Sequence, residues 1–135
     1  MEVCILTELE FVICFPTAAH FLRRFQRLNQ CPEDSAHGHL LHYLLELTLM
    51  DVHMIRYEPS RLVAAAALLS NKLMKQQPSW PPLLATRCKF DLPAVTVCAQ
   101  EMCSILEAAQ SSPLQAARKK FSHSSRSSVA AQRWR

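Results

Sequence analysis

Apolar residues recur at helical spacing along most of the chain, in segments that prolines separate. This spacing predicts a first helix over residues 2–11, followed by an extended segment that ends at Pro16. A loop over residues 31–35 is predicted after the second helix. The remaining predicted helices cover about residues 16–30, 36–54, 61–75, 83–87, 91–110 and 113–121. The pattern therefore predicts an all-α fold.

A run of four alanines, residues 64–67, lies in the middle of the helix predicted over residues 61–75. Alanine favours helix but buries little apolar area, so such a run suits a place where other helices come close. Pro59 ends the preceding segment, and Ser60 is the predicted N-cap. The helix has hardly any polar face, which predicts the buried centre of a bundle. A surface helix with a broad apolar stripe is the alternative.

Length and composition exclude several classes of protein. The 135 residues suit one domain, and the single glycine, Gly38, leaves no glycine-rich phosphate loop or dinucleotide fingerprint. The six cysteines form no CxxC pair, so we expect them to be reduced and buried. Glu8 and Glu10 interrupt the apolar N-terminal segment, which lacks a basic leader, and residues 62–69 are too short to span a bilayer. We expect an intracellular protein without a membrane segment.

Charge is unevenly distributed along the sequence. Residues 1–107 carry nine lysines and arginines against eleven acidic residues, whereas residues 108–135 carry six basic residues and no acidic one. Such a basic, serine-rich tail could contact nucleic acid or an acidic partner. We favour the interpretation that the tail is solvated and partly disordered.

Candidate chemistry is sparse. His37, His39 and His42 cluster, the last two share a helical face, and Glu46 lies one turn beyond. Two ligands at this spacing occur readily by chance, so capping or surface roles are favoured over a metal site. No nucleophile lies in a GxSxG-like context, and the thiols of Cys98 and Cys103 lie in an apolar helix that disfavours thiolate. We expect no catalytic residue, no metal and no cofactor.

Several stretches, in order along the chain, together resemble the mitotic A/B-type cyclins. ILTELEFVICFPTAAHFLRRF (residues 5–25) resembles the join between the two cyclin boxes, LLELTLMD (44–51) a family helix, and PSRLVAAAALL (59–69) the alanine-rich segment. Trp80 and the stretch RKKFSHSSRSSVA (118–130) continue the match. The residues that carry the resemblance, all expected to be structural, are Leu9, Glu10, Phe11, Pro16, Thr17, Phe21, Leu22, Glu46, Leu47, Asp51, Pro59, Ser60, Ala64, Ala65, Ala66, Ala67 and Trp80.

The resemblance implies a C-terminal cyclin domain, a five-helix bundle in which the alanines let neighbouring helices approach the central one. Departures from the family pattern are Ser70 and Asn71 after the alanines, and residues 88–90 in place of a "GYS"-like turn. We expect residues 1–15 to be a remnant of the last helix of the first cyclin box with its linker. Residues 16–121 would then be the C-terminal cyclin domain, and residues 122–135 a basic tail.

The implied function is that of a regulatory subunit, or a fragment of one, that binds a cyclin-dependent protein kinase if joined to a first cyclin box. No kinase-binding residue can be assigned, because that first box carries most of the family's kinase contact. One alternative is a stand-alone helical interaction module, with self-association through residues 1–11 as a further hypothesis. A nucleic-acid-binding protein with a cyclin fold is less favoured. The resemblance implies a nuclear or cytoplasmic protein.

Overall fold

The computed structural model describes residues 1–132 and residue 134. The described part of the chain has no strand, and its α-helices are α1 (Glu2–Glu8), α2 (Ala18–Leu28), α3 (Ala36–Thr48), α4 (Pro59–Leu73), α5 (Pro82–Arg87), α6 (Leu92–Ala108) and α7 (Ala116–Phe121). Three short 3₁₀ helices cover Val52–Arg56, Ser124–Arg126 and Val129–Ala131. The prediction of an all-α fold is confirmed.

The alanine helix α4 lies at the centre of the bundle. It packs against α2, α3 and α6, and every residue from position 63 to position 71 is buried. Because alanine side chains are short, the three neighbouring helices pack close to the backbone of α4. The prediction of a central buried helix is confirmed, and the surface-helix alternative is wrong.

The start of α4 differs from the prediction. The helix begins at Pro59, with Glu58 at the N-cap position, so Ser60 lies within the first turn and does not cap the helix. Proline suits the first helical position, because its ring fixes a helical φ and its missing N–H would have no partner there. The helix also ends at Leu73, since Lys75 adopts a left-handed φ of 56°.

Other helices are shorter than predicted for similar local reasons. Helix α1 ends at Glu8, because Glu10 and Phe11 have left-handed φ angles of 51° and 57°. Helix α3 ends at Thr48, and the side chain of Asp51 accepts a hydrogen bond from the His53 N–H at 2.9 Å to start the 3₁₀ helix. The structure therefore has two helices where the sequence predicts one over residues 36–54, and Asp51 caps the second of them.

Residues 122–132 of the basic tail fold against the bundle, which corrects the favoured interpretation of a partly disordered segment. Val129 and Ala130 are buried, and the 3₁₀ helix that contains them packs against α3 and α7. The Ser127 hydroxyl also lies 2.9 Å from Nδ1 of His39. Apolar burial therefore outweighs the serine-rich composition at this end of the bundle. Arg133 and Arg135 lie outside the described residues.

The first fifteen residues lie outside the core. Helix α1 has no buried residue, and most of the large apolar side chains from position 3 to position 15 are exposed. The division into residues 1–15, 16–121 and 122–135 stays a prediction. Within the described residues, no helix has the length and apolar character that crossing a membrane requires.

Candidate interaction surfaces

Most of the residues that carry the cyclin resemblance fall into two groups. One group lies in or against the core, where Leu22, Leu47 and the four alanines are buried and the rings of Phe21 and Trp80 pack against them. The other group organises helix ends and turns: the backbone N–H of Thr17 donates to Nδ1 of His20 at 3.1 Å before α2. We keep the expectation that both groups are structural.

The exposed group at the N-terminus is different in kind. Leu9 and Phe11 are 49% and 65% exposed, and Glu10 and Pro16 also face solvent. Several large apolar side chains exposed close together are typical of a contact site. Residues 1–15 are therefore one candidate interaction surface.

The three clustered histidines are each held by a different partner. Nε2 of His37 lies 3.1 Å from the Ser70 hydroxyl, and Nδ1 of His39 lies 2.9 Å from the Ser127 hydroxyl. Nε2 of His42 lies 3.9 Å from Oε1 of Glu33. Within the described residues, no group of three or more His, Cys, Asp or Glu side chains is placed to hold a metal ion. The histidines instead tie α3 to α4, to the tail and to the loop before α3.

Burial sets the protonation of the cysteines in the core. It raises the pKa of Cys98 to about 12, and it raises the pKa of Cys31 and Cys103 above the ordinary thiol value. A thiol with a raised pKa stays protonated at neutral pH and is a poor nucleophile. Within the described residues all six cysteines are free thiols, but Cys4 and Cys14 are exposed, so the expectation that the cysteines are buried is wrong for these two.

A buried amide pair lies where the alanine segment departs from the cyclin pattern. The side chains of Asn29 and Asn71 donate to each other, both at 2.7 Å, and Asn71 also donates to the Ser79 carbonyl at 2.9 Å. Asn71 is 1% exposed, so these bonds satisfy an amide that would otherwise be costly to bury. The pair joins α2 to α4, and its two residues lie too far apart in sequence for the pattern to predict it.

The basic C-terminal stretch, residues 108–135, does not present all of its cations to a partner. Lys120 forms an ion pair with Glu46 on α3, and Arg118 is half-buried beside the Tyr43 ring. Such pairing leaves less positive charge for nucleic acid than the sequence of the tail indicates.

The comparison with known families decides the identity of this bundle. Residues 16–133 match the family described as cyclin, C-terminal domain. The chain belongs to the cyclin family. Its match begins where the exposed N-terminal segment ends and includes the buried part of the tail.

Similar proteins are mitotic cyclins. The chain is 34% identical over 132 residues to the G2/mitotic-specific cyclin-B of Dictyostelium discoideum, which covers 97% of this chain and 30% of that relative. It is 33% identical over 122 residues to the cyclin-B of Marthasterias glacialis, covering 90% of this chain and 31% of the relative. It is 43% identical over 76 residues to the human cyclin-B2, covering 56% and 19%. The chain thus spans about 30% of the length of the first two relatives.

Proposed function

We propose that this chain, joined to a first cyclin box, forms the C-terminal part of a regulatory subunit that associates with a cyclin-dependent protein kinase in the cell cycle. The observation that carries the proposal is the family match over residues 16–133, together with the burial of the alanines of α4 among three helices. Both support a mitotic cyclin domain. We place its action in the nucleus or the cytoplasm.

The proposed mechanism requires no chemistry from the cyclin. A kinase populates conformations in which its catalytic elements are or are not aligned, and a docked partner shifts the population toward the one it binds more tightly. The C-terminal domain contributes a rigid body to this docking. The family match over residues 16–133 supports a regulatory role.

A domain exchange tests the proposal. Residues 16–135 replace the C-terminal domain of human cyclin-B2, and the fusion is assayed for binding and activation of those cyclin-dependent kinases that the unaltered relative activates. We expect the fusion to bind and activate, and the unfused chain to bind at least about tenfold more weakly, because it lacks the first box. A fusion that folds but neither binds nor activates would overturn the proposal.

The exposed residues of the segment 1–15 favour a second candidate function, a stand-alone interaction module. In this function the apolar side chains of α1 and its linker contact another protein directly. A chain that folds and forms a stable complex through this segment in the absence of any kinase would fit the second function.

A further inference from the structure

One pocket on the bundle combines positive charge with aromatic walls. It has a volume of about 260 Å³ and lies between α2, the end of α5 and the segment before α6. The residues that give it its character are Arg24, Arg87, Lys89, Phe21, Phe25 and Phe90. We call it the arginine pocket. Its lining, as far as the structure describes it, includes no carboxylate.

The two arginines of this pocket hold positive charge that the bundle does not neutralise. Nη2 of Arg24 donates to the backbone carbonyl of Arg87 at 3.4 Å, which brings both residues to one wall. Both side chains are exposed. Lys89 is paired with Glu58 at 3.2 Å, whereas no carboxylate of the described residues forms a salt bridge with either arginine. The two guanidinium groups are therefore open to an anion from outside the bundle.

A third arginine adds positive charge beside Phe90. The guanidinium of Arg61 lies over the Phe90 ring, 4.8 Å from its centroid, and over the Tyr57 ring at 5.9 Å. Among the described residues, its Nε has no hydrogen-bond partner and no carboxylate forms a salt bridge with it. The positive potential of the arginine pocket thus extends along the Phe90 side of the bundle.

The chemistry of the pocket fits a carboxylate next to an apolar side chain. A guanidinium presents donors in a planar fork that matches a carboxylate, and phenylalanine rings pack well against another aromatic ring. In an extended peptide, side chains two residues apart point to the same side. A carboxylate and an aromatic side chain at that spacing would therefore enter the pocket together.

We infer that the arginine pocket docks an extended acidic segment of another protein, in which carboxylate side chains lie two residues from a large apolar one. In this contact the carboxylates face Arg24 and Arg87, and the apolar side chain packs on the phenylalanine rings. Two singly charged carboxylates match the two arginines of the lining, because Lys89 is already paired. The inference goes beyond kinase association and does not depend on it.

Binding of a defined peptide to the full chain tests this contact. The probe is a fluorescein-labelled peptide in which two glutamates flank a phenylalanine, each separated from it by one serine. Fluorescence anisotropy should show saturable binding that salt weakens, because the arginines are exposed to solvent. Replacement of both glutamates by glutamine, or of the phenylalanine by serine, should each raise the Kd at least about fivefold.

Two results with these peptides would overturn the inference. One is the absence of saturable binding of the glutamate peptide up to about 1 mM. The other is binding only when phosphoserine replaces the glutamates, which would assign the pocket to phosphate and not to carboxylates.

Variants of the chain locate the peptide. Arg24→Gln with Arg87→Gln should raise the Kd at least about tenfold, because the carboxylates then face no cation. The matched control, Arg27→Gln with Lys119→Gln, removes as much charge, but both residues lie outside the arginine pocket. It should bind the peptide as the unaltered chain does, and circular dichroism should show that both variants keep the helical fold. A control weakened as much as the pocket variant would indicate general charge attraction and overturn the inference.

The fusion with human cyclin-B2 shows whether the pocket is accessible beside a first cyclin box. Residues 16–135 include the whole lining of the arginine pocket, and none of residues 1–15 belongs to it. We expect the fusion to bind the glutamate peptide as tightly as the full chain does. Peptide binding is read separately from kinase activation, so a failure of the proposed function leaves this result interpretable. A fusion that folds but does not bind the peptide would overturn the inference.

Discussion

Two imidazole rings on the first turns of α3 are partly withdrawn from water. Burial is the largest cause that lowers the pKa of His37 and of His42 below the ordinary histidine value, and for His42 the nearby Glu33 opposes it. In the unfolded chain these histidines have the ordinary pKa of about 6.5. At mildly acidic pH the unfolded chain therefore binds more protons than the folded chain. We expect the free energy of unfolding to fall as pH is lowered through and below that value.

Urea unfolding at a series of pH values between about 5 and 7.5 measures this dependence. The double variant His37→Gln with His42→Gln has glutamines that do not titrate. Its free energy of unfolding should therefore fall less over the same pH range. If its free energy of unfolding fell as much as that of the unaltered chain, other groups would cause the acid sensitivity.

The single glycine of the chain lies where two backbone segments meet. A Cβ atom built on Gly38 would lie 2.3 Å from the Pro32 carbonyl oxygen and 2.5 Å from that of Glu33. Alanine normally stabilises a helix relative to glycine, but here it would have to push the loop away from α3. We expect Gly38→Ala to destabilise the fold by about 1–3 kcal/mol, as overpacking does elsewhere.

The control for this substitution is Ser104→Ala, at an exposed position of α6. It gains a smaller amount of helix propensity without a clash, so its effect on the free energy of unfolding should be within about 0.5 kcal/mol. If Gly38→Ala were neutral or stabilising, the loop before α3 would not be fixed against the helix.

At the scale of elements, α4 sets how closely its neighbours pack. Ala65 and Ala66 are both fully buried, so a leucine at either position has no space that is not already filled. We expect Ala65→Leu and Ala66→Leu each to cost about 1–3 kcal/mol in the free energy of unfolding. Ala85→Leu, at an exposed position of α5, is the matched control and should change it little. Stabilities near that of the unaltered chain at both buried sites would contradict a closely packed bundle.

The helices themselves could be predicted from the sequence, because apolar residues at helical spacing mark the faces that meet in the core. Their ends could not, since a proline at the first helical position, as in Pro59, or a left-handed residue, as in Lys75, acts locally. The tail shows another limit. Its composition is typical of disorder, yet Val129 reaches a place in the core that only the tertiary fold creates.

The candidate surfaces also include one feature that could be predicted from the sequence and one that could not. The exposed apolar segment follows from the sequence together with the cyclin resemblance, because the partners of that helix in the family lie in the other box. The amide pair of Asn29 and Asn71 could not be predicted, since the two residues are 42 positions apart and meet only through their side chains. A contact of this kind leaves no periodic signal.

At the scale of the whole molecule, the bundle and the N-terminal segment are energetically separate. Helix α1 is seven residues long, and isolated helices of that length are marginal in water. None of its residues is buried, so it contributes little apolar burial to the bundle. We expect deletion of residues 1–11 to shift the thermal midpoint of the diluted protein by less than about 3 °C.

The same deletion should lower the oligomeric state in light scattering at high protein concentration, because it removes most of the exposed apolar stretch. A deletion at the other end serves as the comparison: loss of residues 122–135 removes the buried Val129 and should lower the midpoint clearly. If removing residues 1–11 instead unfolds the bundle, α1 belongs to this core. The separation between an exposed contact segment and a self-sufficient C-terminal bundle would then be wrong.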